Sequence, residues 1–525
     1  MPEYLSPGVY VEEIELGPRP IEGVSTSTAG FLGETLRGPL QPRLMTGLEQ
    51  YKRVYGGYTD NSFLTYAVEG FFKNGGQRCF IARITPDDAV AAVATHDTVN
   101  IEAIGPGIWG NRLAIKVGPG SLQDPTAAAP WDRIKLTVMY WDDMPPLPLV
   151  DPTDPANATD PNRRDPTLLE VYDNLSADPT SADFFQTRVN KSSNLVQIAP
   201  VDPDAPVNPT ELPLTLLTDL GGTVGEDGSD VTLPDYQGRT LPPLPDDSII
   251  RTGLEGFKEV DEISLLIAPD HHDIANLHSE LITHCTLLAD RFAILHSNPA
   301  NDTLNTVPTL WPPQDTSYAA FYFPWIKVYD PRTNRDLLVP PSGHIAGIYA
   351  QTDVDRGVHK APANVVVQGA NGLQFQITKG EQDVLNPRGV NCLRVFQGRG
   401  LRVWGARTSS TNALWKYINV RRLFLFIEES IDEGTQWVVF EPNNEQLWAR
   451  VKQSVTQFLT TVWRTGALMG TTAEEAFFVK ADRTTMTQDD IDNGRLIVLI
   501  GVAPTKPAEF VIFRITQFTA GAETA

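Results

Sequence analysis

Trp437-Val438-Val439-Phe440-Glu441-Pro442-Asn443-Asn444 opens a stretch, running on to Gln517, from which the rest of the chain can be read. Trp437 to Glu441 reads as a short apolar strand. Pro442 stops it, and Asn443 and Asn444 offer side chains that can cap a helix. Leu447, Val451, Val455, Phe458, Leu459 and Val462 then recur at helical spacing, and Gly466 and Gly470 close the pattern. Arg495 to Val502 reads as a second strand, entered through the turn residues Asp492-Asn493-Gly494, with Leu496, Val498 and Ile500 along it. Pro504 and Pro507 break the chain again. Glu509 to Gln517 follows, and Phe510, Val511, Ile512, Phe513 and Ile515 make it β-branched and aromatic almost throughout.

That last strand has no obvious partner. Proline donates no ladder hydrogen bond, so Pro504 and Pro507 leave no room for a tight hairpin back onto Leu496 to Val502. An apolar strand that cannot pair at home is a template for pairing elsewhere. The start of the chain repeats the pattern. Val9, Tyr10, Val11, Glu12 and Ile14 form an isolated strand behind Pro7, with Pro18 and Pro20 after it. Two terminal strands on proline-bounded hinges (Pro18, Pro20, Pro504, Pro507) suit a subunit that lends strands to its neighbours' sheets.

Ser6-Pro-Gly-Val-Tyr-Val-Glu-Glu13 resembles the opening of contractile tail sheath proteins. So does the C-terminal block, from Trp415-Lys-Tyr-Ile-Asn-Val-Arg-Arg-Leu423 through Phe440-Glu-Pro-Asn-Asn444 to Ala503-Pro-Thr-Lys-Pro-Ala-Glu-Phe510. The family covers phage tails, R-type pyocins, type VI secretion and extracellular injection particles. The resemblance implies a structural subunit rather than an enzyme, stacked as six-fold discs around an inner tube between a baseplate and a terminal cap. It implies contraction that drives the tube into a target membrane. It also implies assembly in the cytoplasm, as part of a phage tail or tail-like particle. On this reading the two arms join the sheets of different neighbours, with Leu496 to Val502 as recipient. Arg450, Lys452 and Arg464, on the helix from Asn444 to Arg464, are the candidates for contact with the tube.

Composition agrees with a large, folded, acidic protein. The chain has 525 residues, 41% hydrophobic and 20% charged, enough for several domains. Its formal net charge of -23 disfavours nucleic acid and anionic lipid, which recruit clustered Lys and Arg. No apolar run approaches the length of a membrane span, and no charged leader precedes an apolar run. Cys79, Cys285 and Cys392 are scattered singly, which fits a reducing compartment.

The pass along the chain predicts a multidomain α/β (α+β) protein. Residues 1–22 form the N-terminal arm. Residues 23–104 and 251–410 form an α/β middle domain. Its strands are expected at Ala29 to Glu34, Gln77 to Ile84, Ile263 to Pro269, Arg291 to His296 and Ser317 to Tyr329. Its helices are expected at Leu48 to Tyr55, from Leu64 to Asn74, at Ile274 to Leu288 and at Ser342 to Arg356. Residues 105–250, rich in Pro and Asp, read as a mainly β insertion facing solvent. Residues 411–505 form the C-terminal α/β domain, and 506–525 the second arm.

Motifs for chemistry fail on spacing. Gly105-Pro-Gly-Ile-Trp-Gly110 fits G-x-G-x-x-G, but a strand at Leu113 to Val117 follows it, where a dinucleotide site needs a helix. His278 and His284 are six residues apart, so they do not share a helix face for zinc. No G-x-S-x-G and no Walker lysine occurs, and Asp489 to Gly494 lacks calcium-loop spacing. No cofactor or metal is expected. The rival readings are an α/β hydrolase-like or nucleotide-binding enzyme using the His271 to His296 region, and a non-contracting tube or shell protein.

Overall fold

The computed structural model describes residues 20–123, 131–202, 210–242, 249–300, 306 and 309–514. The chain divides into two compact units, Thr26–Val354 with Pro362–Lys416, and Met1–Ser25 with Asp355–Ala361 and Tyr417–Ala525.

In the larger unit, β1 (Ala29–Gly33), β2 (Arg43–Met45), α1 (Leu48–Tyr55), α2 (Leu64–Lys73) and β3 (Cys79–Arg83) come first. β1 is buried at every position and pairs with β3 in parallel. An all-buried, near-continuous apolar strand belongs to a parallel sheet covered on both faces.

The chain then leaves this layer. β4 (Val93–His96), β5 (Val99–Ala103), β6 (Leu113–Pro119), β7 (Ile134–Tyr140), β8 (Leu168–Leu175), α3 (Phe185–Ser192), β9 (Val196–Pro200) and β10 (Leu212–Leu216) build two antiparallel sheets, ordered β10-β6-β7-β8 and β4-β5-β9. One apolar cluster runs from Ala92 to Leu217 and includes Trp109 and Tyr140. β4 and β5 therefore pack with this body, although they precede residue 105. After Gly107 the chain makes one 3-10 turn, Ile108–Arg112, and enters β6 directly. Trp109 Nε1 donates to the Pro106 carbonyl at 3.0 Å, so the glycines shape a turn around a buried indole.

Past α4 (Leu233–Gln237) and α5 (Gly253–Phe257) the chain rejoins the first layer. β11 (Leu265–Ile267), α6 (Leu277–Leu288) and β12 (Phe292–His296) make the expected parallel β-α-β unit. The single strand expected over Ser317 to Tyr329 is instead two, β13 (Ala319–Phe323) and β14 (Ile326–Asp330). Pro324 breaks it, because proline cannot continue a central ladder. β14 pairs with β15 (Arg335–Val339) and, beyond α7 (Ser342–Arg356), with β16 (Gly372–Leu373). After α8 (Lys379–Leu385), the hairpin β17 (Val390–Phe396) and β18 (Gly400–Trp404) completes an eight-stranded sheet, ordered β18-β17-β13-β12-β11-β1-β3-β2.

The smaller unit departs more from expectation. Trp437 to Glu441 is not a strand. An 18-residue helix, α9 (Ile418–Thr435), runs straight into the 3-10 turn Gln436–Val438. Trp437 Nε1 donates to the Gly434 carbonyl at 3.1 Å, which ties the indole back to the helix. α10 (Glu445–Arg464) follows as expected, with the Asn444 side chain accepting from Leu447 N–H at 2.9 Å. Phe426 of α9 and Phe458 of α10 stack with centroids 5.9 Å apart. Then come α11 (Ala473–Ala476), β19 (Phe477–Lys480), α12 (Gln488–Asp492) and β20 (Leu499–Val502). β20 is shorter than expected. α12 and its exit turn consume the first residues, with Arg495 N–H bonded to the Asp490 carbonyl at 2.8 Å.

Histidines crowd the larger unit at the ends of its parallel strands. His271 and His296 are buried, with ring centroids 4.0 Å apart, and His271 Nε2 accepts from His296 N–H at 3.1 Å. Burial pushes His271 and His284 down to about 3, and His344 down to about 4. Each is thus neutral in the fold and gains a proton on unfolding below pH ~6.5, so its stabilisation is lost as pH falls. Glu34 and Asp270 oppose this. Burial raises them to about 7 and about 6, so they hold protons in the fold that the unfolded chain has released. The histidines outnumber them. Urea midpoints are therefore expected to fall between pH 7.5 and pH 5, and Glu34→Gln should steepen that fall.

Candidate assembly surface

In the smaller unit β19 and β20 pair antiparallel, Phe477 opposite Val502 and Val479 opposite Ile500, and among the described residues they form a sheet of two strands. Phe477 and Val479 turn inward onto a cluster that includes Leu447, Val451, Val455 and Leu459 of α10. Leu496, Val498, Ile500 and Val502 pack against the same cluster, while Ile497 and Leu499 face outward, 41% and 52% exposed. This alternation of two is that of a strand. It begins at Leu496, three residues before β20 itself. Two strands alone are marginally stable in water, and α10 covers only one face.

On the outer face, Phe478 lies across Gly501. A Cβ placed on Gly501 would stand 2.2 Å from the Phe478 ring, so a side chain there would displace the ring. Phe478 remains 47% exposed. The ribbon thus keeps apolar area in water and unpaired main-chain groups along its edges, which is what an added strand would cover.

The chain leaving β20 is first pinned and then released. Ala503 N–H bonds to the Ala476 carbonyl at 2.9 Å, and Thr505 N–H to the Ala467 carbonyl at 3.0 Å. Asn419 Nδ2 holds the Thr505 carbonyl at 3.1 Å, and Tyr417 donates its hydroxyl hydrogen to Glu509 Oε2 at 2.9 Å. Pro504 sits inside this clamp, bridged to Leu468, where its missing N–H costs nothing. Hydrogen bonds therefore hold the chain through Glu509, two residues beyond Pro507.

From there Phe510, Val511, Ile512 and Phe513 are 69%, 69%, 78% and 83% exposed. Residues 510–514 have no strand assignment. Four consecutive large apolar side chains in water are a local violation among the described residues. Ile515 lies outside the described residues, as do Val9, Tyr10, Val11, Glu12, Ile14 and Pro18. Pro20 is exposed, and next to it Ile21 is buried against Gly434 of α9, whose missing side chain makes the room. Val24 N–H bonds to Ser430 Oγ at 3.1 Å. The chain therefore meets this unit along α9.

The three candidate tube contacts do not share a face. Arg450 pairs with Glu441 at 3.5 Å and stands over the Trp437 ring at 5.5 Å. Lys452 and Arg464 are exposed. At 3.6 residues per turn, Arg450 and Arg464 are about 40° apart around α10, and Lys452 is about 160° from Arg450.

In the region behind the enzyme reading the histidines pack against aromatic rings. His272 is 4.7 Å from the Trp325 ring, and His344 sits against Gly70, where a Cβ would fall 2.2 Å from its Nδ1. Among the described residues, no group of three His, Cys, Asp or Glu is placed to hold a metal ion.

Two family models match contiguous stretches, the phage tail sheath protein central domain over residues 231–409 and the phage tail sheath C-terminal domain over residues 410–518. The tail sheath protein of Vibrio phage KVP40 is 28% identical over 214 residues, which is 40% of this chain and 31% of that protein. The tail sheath protein of Burkholderia phage BcepMu is 31% identical over 157 residues, 28% of this chain and 33% of that one. The chain thus spans about a third of the length of each. Among solved structures, the contracted helical sheath of the anti-feeding prophage superposes with a TM-score of 0.57 at 24% identity, covering 97% of this chain and 99% of that one. The contracted sheath of the PVC extracellular contractile injection system gives 0.56 at 22%, covering 98% and 99%.

Because Phe510, Val511, Ile512 and Phe513 are exposed, Ile512→Ala with Phe513→Ala should leave the single copy's thermal unfolding unchanged to within ~0.5 kcal/mol. Phe477→Ala, by contrast, should destabilise it by about 3 kcal/mol. Calorimetry on both variants checks the contrast.

Proposed function

The chain belongs to the phage tail sheath family, and on that premise we propose that it polymerises as stacked six-fold discs around an inner tube and contracts to drive that tube into a target membrane. Baseplate and terminal cap proteins would bound the polymer, assembled in the cytoplasm. The observation that carries the reading is the bare apolar run Phe510 to Phe513, leaving a unit whose own sheet stops at two strands.

In the assembled lattice, Phe510 to Ile515 of one copy and Val9 to Ile14 of another extend the β19–β20 ribbon of a third. Each lent strand supplies about six ladder bonds at roughly 0.5–1.5 kcal/mol net. Covering Phe510, Ile512 and Phe513 adds roughly 1.5–3 kcal/mol for each side chain fully buried. Strand pairing of this size tethers copies while their bodies turn. The pivots are the residues around Pro18 and Pro20 on one side and those past Pro507 on the other. Contraction is then a shift between two lattices that share these tethers and differ in their remaining contacts. Lys452 or Arg464, on separate faces of α10, would meet acidic groups of the tube.

Electron microscopy of the purified full chain tests the reading directly. Tubes or stacked rings are expected, with short wide and long thin forms both present. Discrete monomers or dimers at high concentration would favour the enzyme reading, and a single invariant diameter the non-contracting shell. Truncation after Glu509 should abolish the polymer. Lys452→Glu with Arg464→Glu should weaken co-assembly with tube protein while leaving sheath-only polymers intact.

A further inference from the structure

Charge is distributed unevenly along this acidic chain. Between Asp383 and Glu428 there is no Asp or Glu, and eight basic residues: Arg388, Arg394, Arg399, Arg402, Arg407, Lys416, Arg421 and Arg422. The remaining chain carries 34 basic against 65 acidic residues. The hairpin β17–β18 gathers three of these arginines. Arg394 stands directly opposite Arg402 in the register, and like charges across a ladder oppose pairing. Arg394 lies over the Phe396 ring at 5.2 Å, and Arg399 over the Phe396 and Trp404 rings at 5.6 and 6.0 Å.

Their hydrogen-bond partners are all neutral. Arg394 donates to the Ile377 carbonyl and Gln382 Oε1, Arg399 to Asn364 Oδ1, and Arg402 to the Arg399 and Asn364 carbonyls and to Asn364 Oδ1. The nearby carboxylates of α8 are engaged, Glu381 in the capping box with Thr378 and Asp383 with Lys379 at 2.9 Å. Among the described residues, no carboxylate pairs with Arg394, Arg399 or Arg402. The rings hold the guanidinium planes in place, so the face is pre-shaped for carboxylates.

A second, opposite violation occurs on α9. Glu428, Glu429, Asp432 and Glu433 fill its last two turns, and no basic residue stands in the final turn. The C-terminal end of a helix disfavours anions; Glu428 is paired with Arg421 at 3.3 Å, whereas Glu429 and Glu433 are like charges four residues apart. Asp432 and Glu433 are exposed. Two faces of opposite sign, each unfavourable alone, relieve one another when joined.

We infer that the Arg394–Arg399–Arg402 face of one copy docks on the acidic end of α9, at Asp432 and Glu433, of a second copy. This contact rests on the polymer reading and lies apart from the strand arms. It belongs to the body-to-body contacts that distinguish lattices, and being electrostatic it weakens with salt.

The test is a charge swap in the full chain, read by the concentration needed for polymer formation. Arg394→Glu with Arg402→Glu should raise that concentration roughly tenfold, since each tenfold corresponds to ~1.4 kcal/mol. Asp432→Lys with Glu433→Lys should do the same, and all four changes in one chain should restore it. Circular dichroism of each unassembled variant separates lost docking from lost folding. If wild type forms no polymer, the polymer reading itself fails. If wild type assembles and the first pair of reversals leaves assembly and its salt dependence unchanged, the contact is wrong. It is equally wrong if the four-fold swap gives no rescue, or if the arginine face proves instead to bind single-stranded DNA without affecting assembly.

Discussion

A β-ribbon with open edges is an unstable place for a chain to stop. β19 and β20 are four residues each, lean on α10 by one face, and leave Phe478, Ile497 and Leu499 in water on the other. Backbone groups along a ribbon's edges are templates for a further strand. In the same unit Phe510 to Phe513 are exposed among the described residues. A missing strand and an unused strand in one small unit are complementary deficits. The proposed strand lending between copies would resolve both.

The clamp on residues 503–505 gives the arm its mechanical character. Bonds to Ala467, Ala476 and Asn419 fix the exit point on the unit, and Tyr417 holds Glu509 just before the chain is released. The arm therefore leaves from a defined position and carries its freedom in only a few residues. A tether of that kind keeps neighbours linked through a change of angle without storing much energy itself. On the proposed reading, stored energy would lie in contacts between copies, and the opposed charge clusters on β17–β18 and α9 are the candidates for such a contact.

Much of this was legible from residue order. The parallel strands could be read because both their faces are buried, which leaves unbroken runs such as Phe292 to Leu295. α10 could be read from its apolar stripe and its Asn444 cap. Trp437 to Glu441 misled, because five residues are too few to distinguish a β pattern from the tail of a helix, and α9 decides the matter from upstream. The single strand over Ser317 to Tyr329 was divided by Pro324, a break that the surrounding aromatics mask. β19 escaped because Phe477 to Lys480 is too short to carry a periodic signal. The prolines argued only against a tight hairpin onto Leu496 to Val502, whereas the clamp on Pro504 depends on tertiary partners that no local pattern announces.

Hydrogen exchange at Ile512 and Ile497, compared between the unassembled chain and the assembled polymer, tests the central claim most directly. The account predicts fast exchange at both amides in single copies and strong protection at both once the polymer forms. Protection of Ile512 already present in single copies, or fast exchange persisting in the polymer, would contradict it.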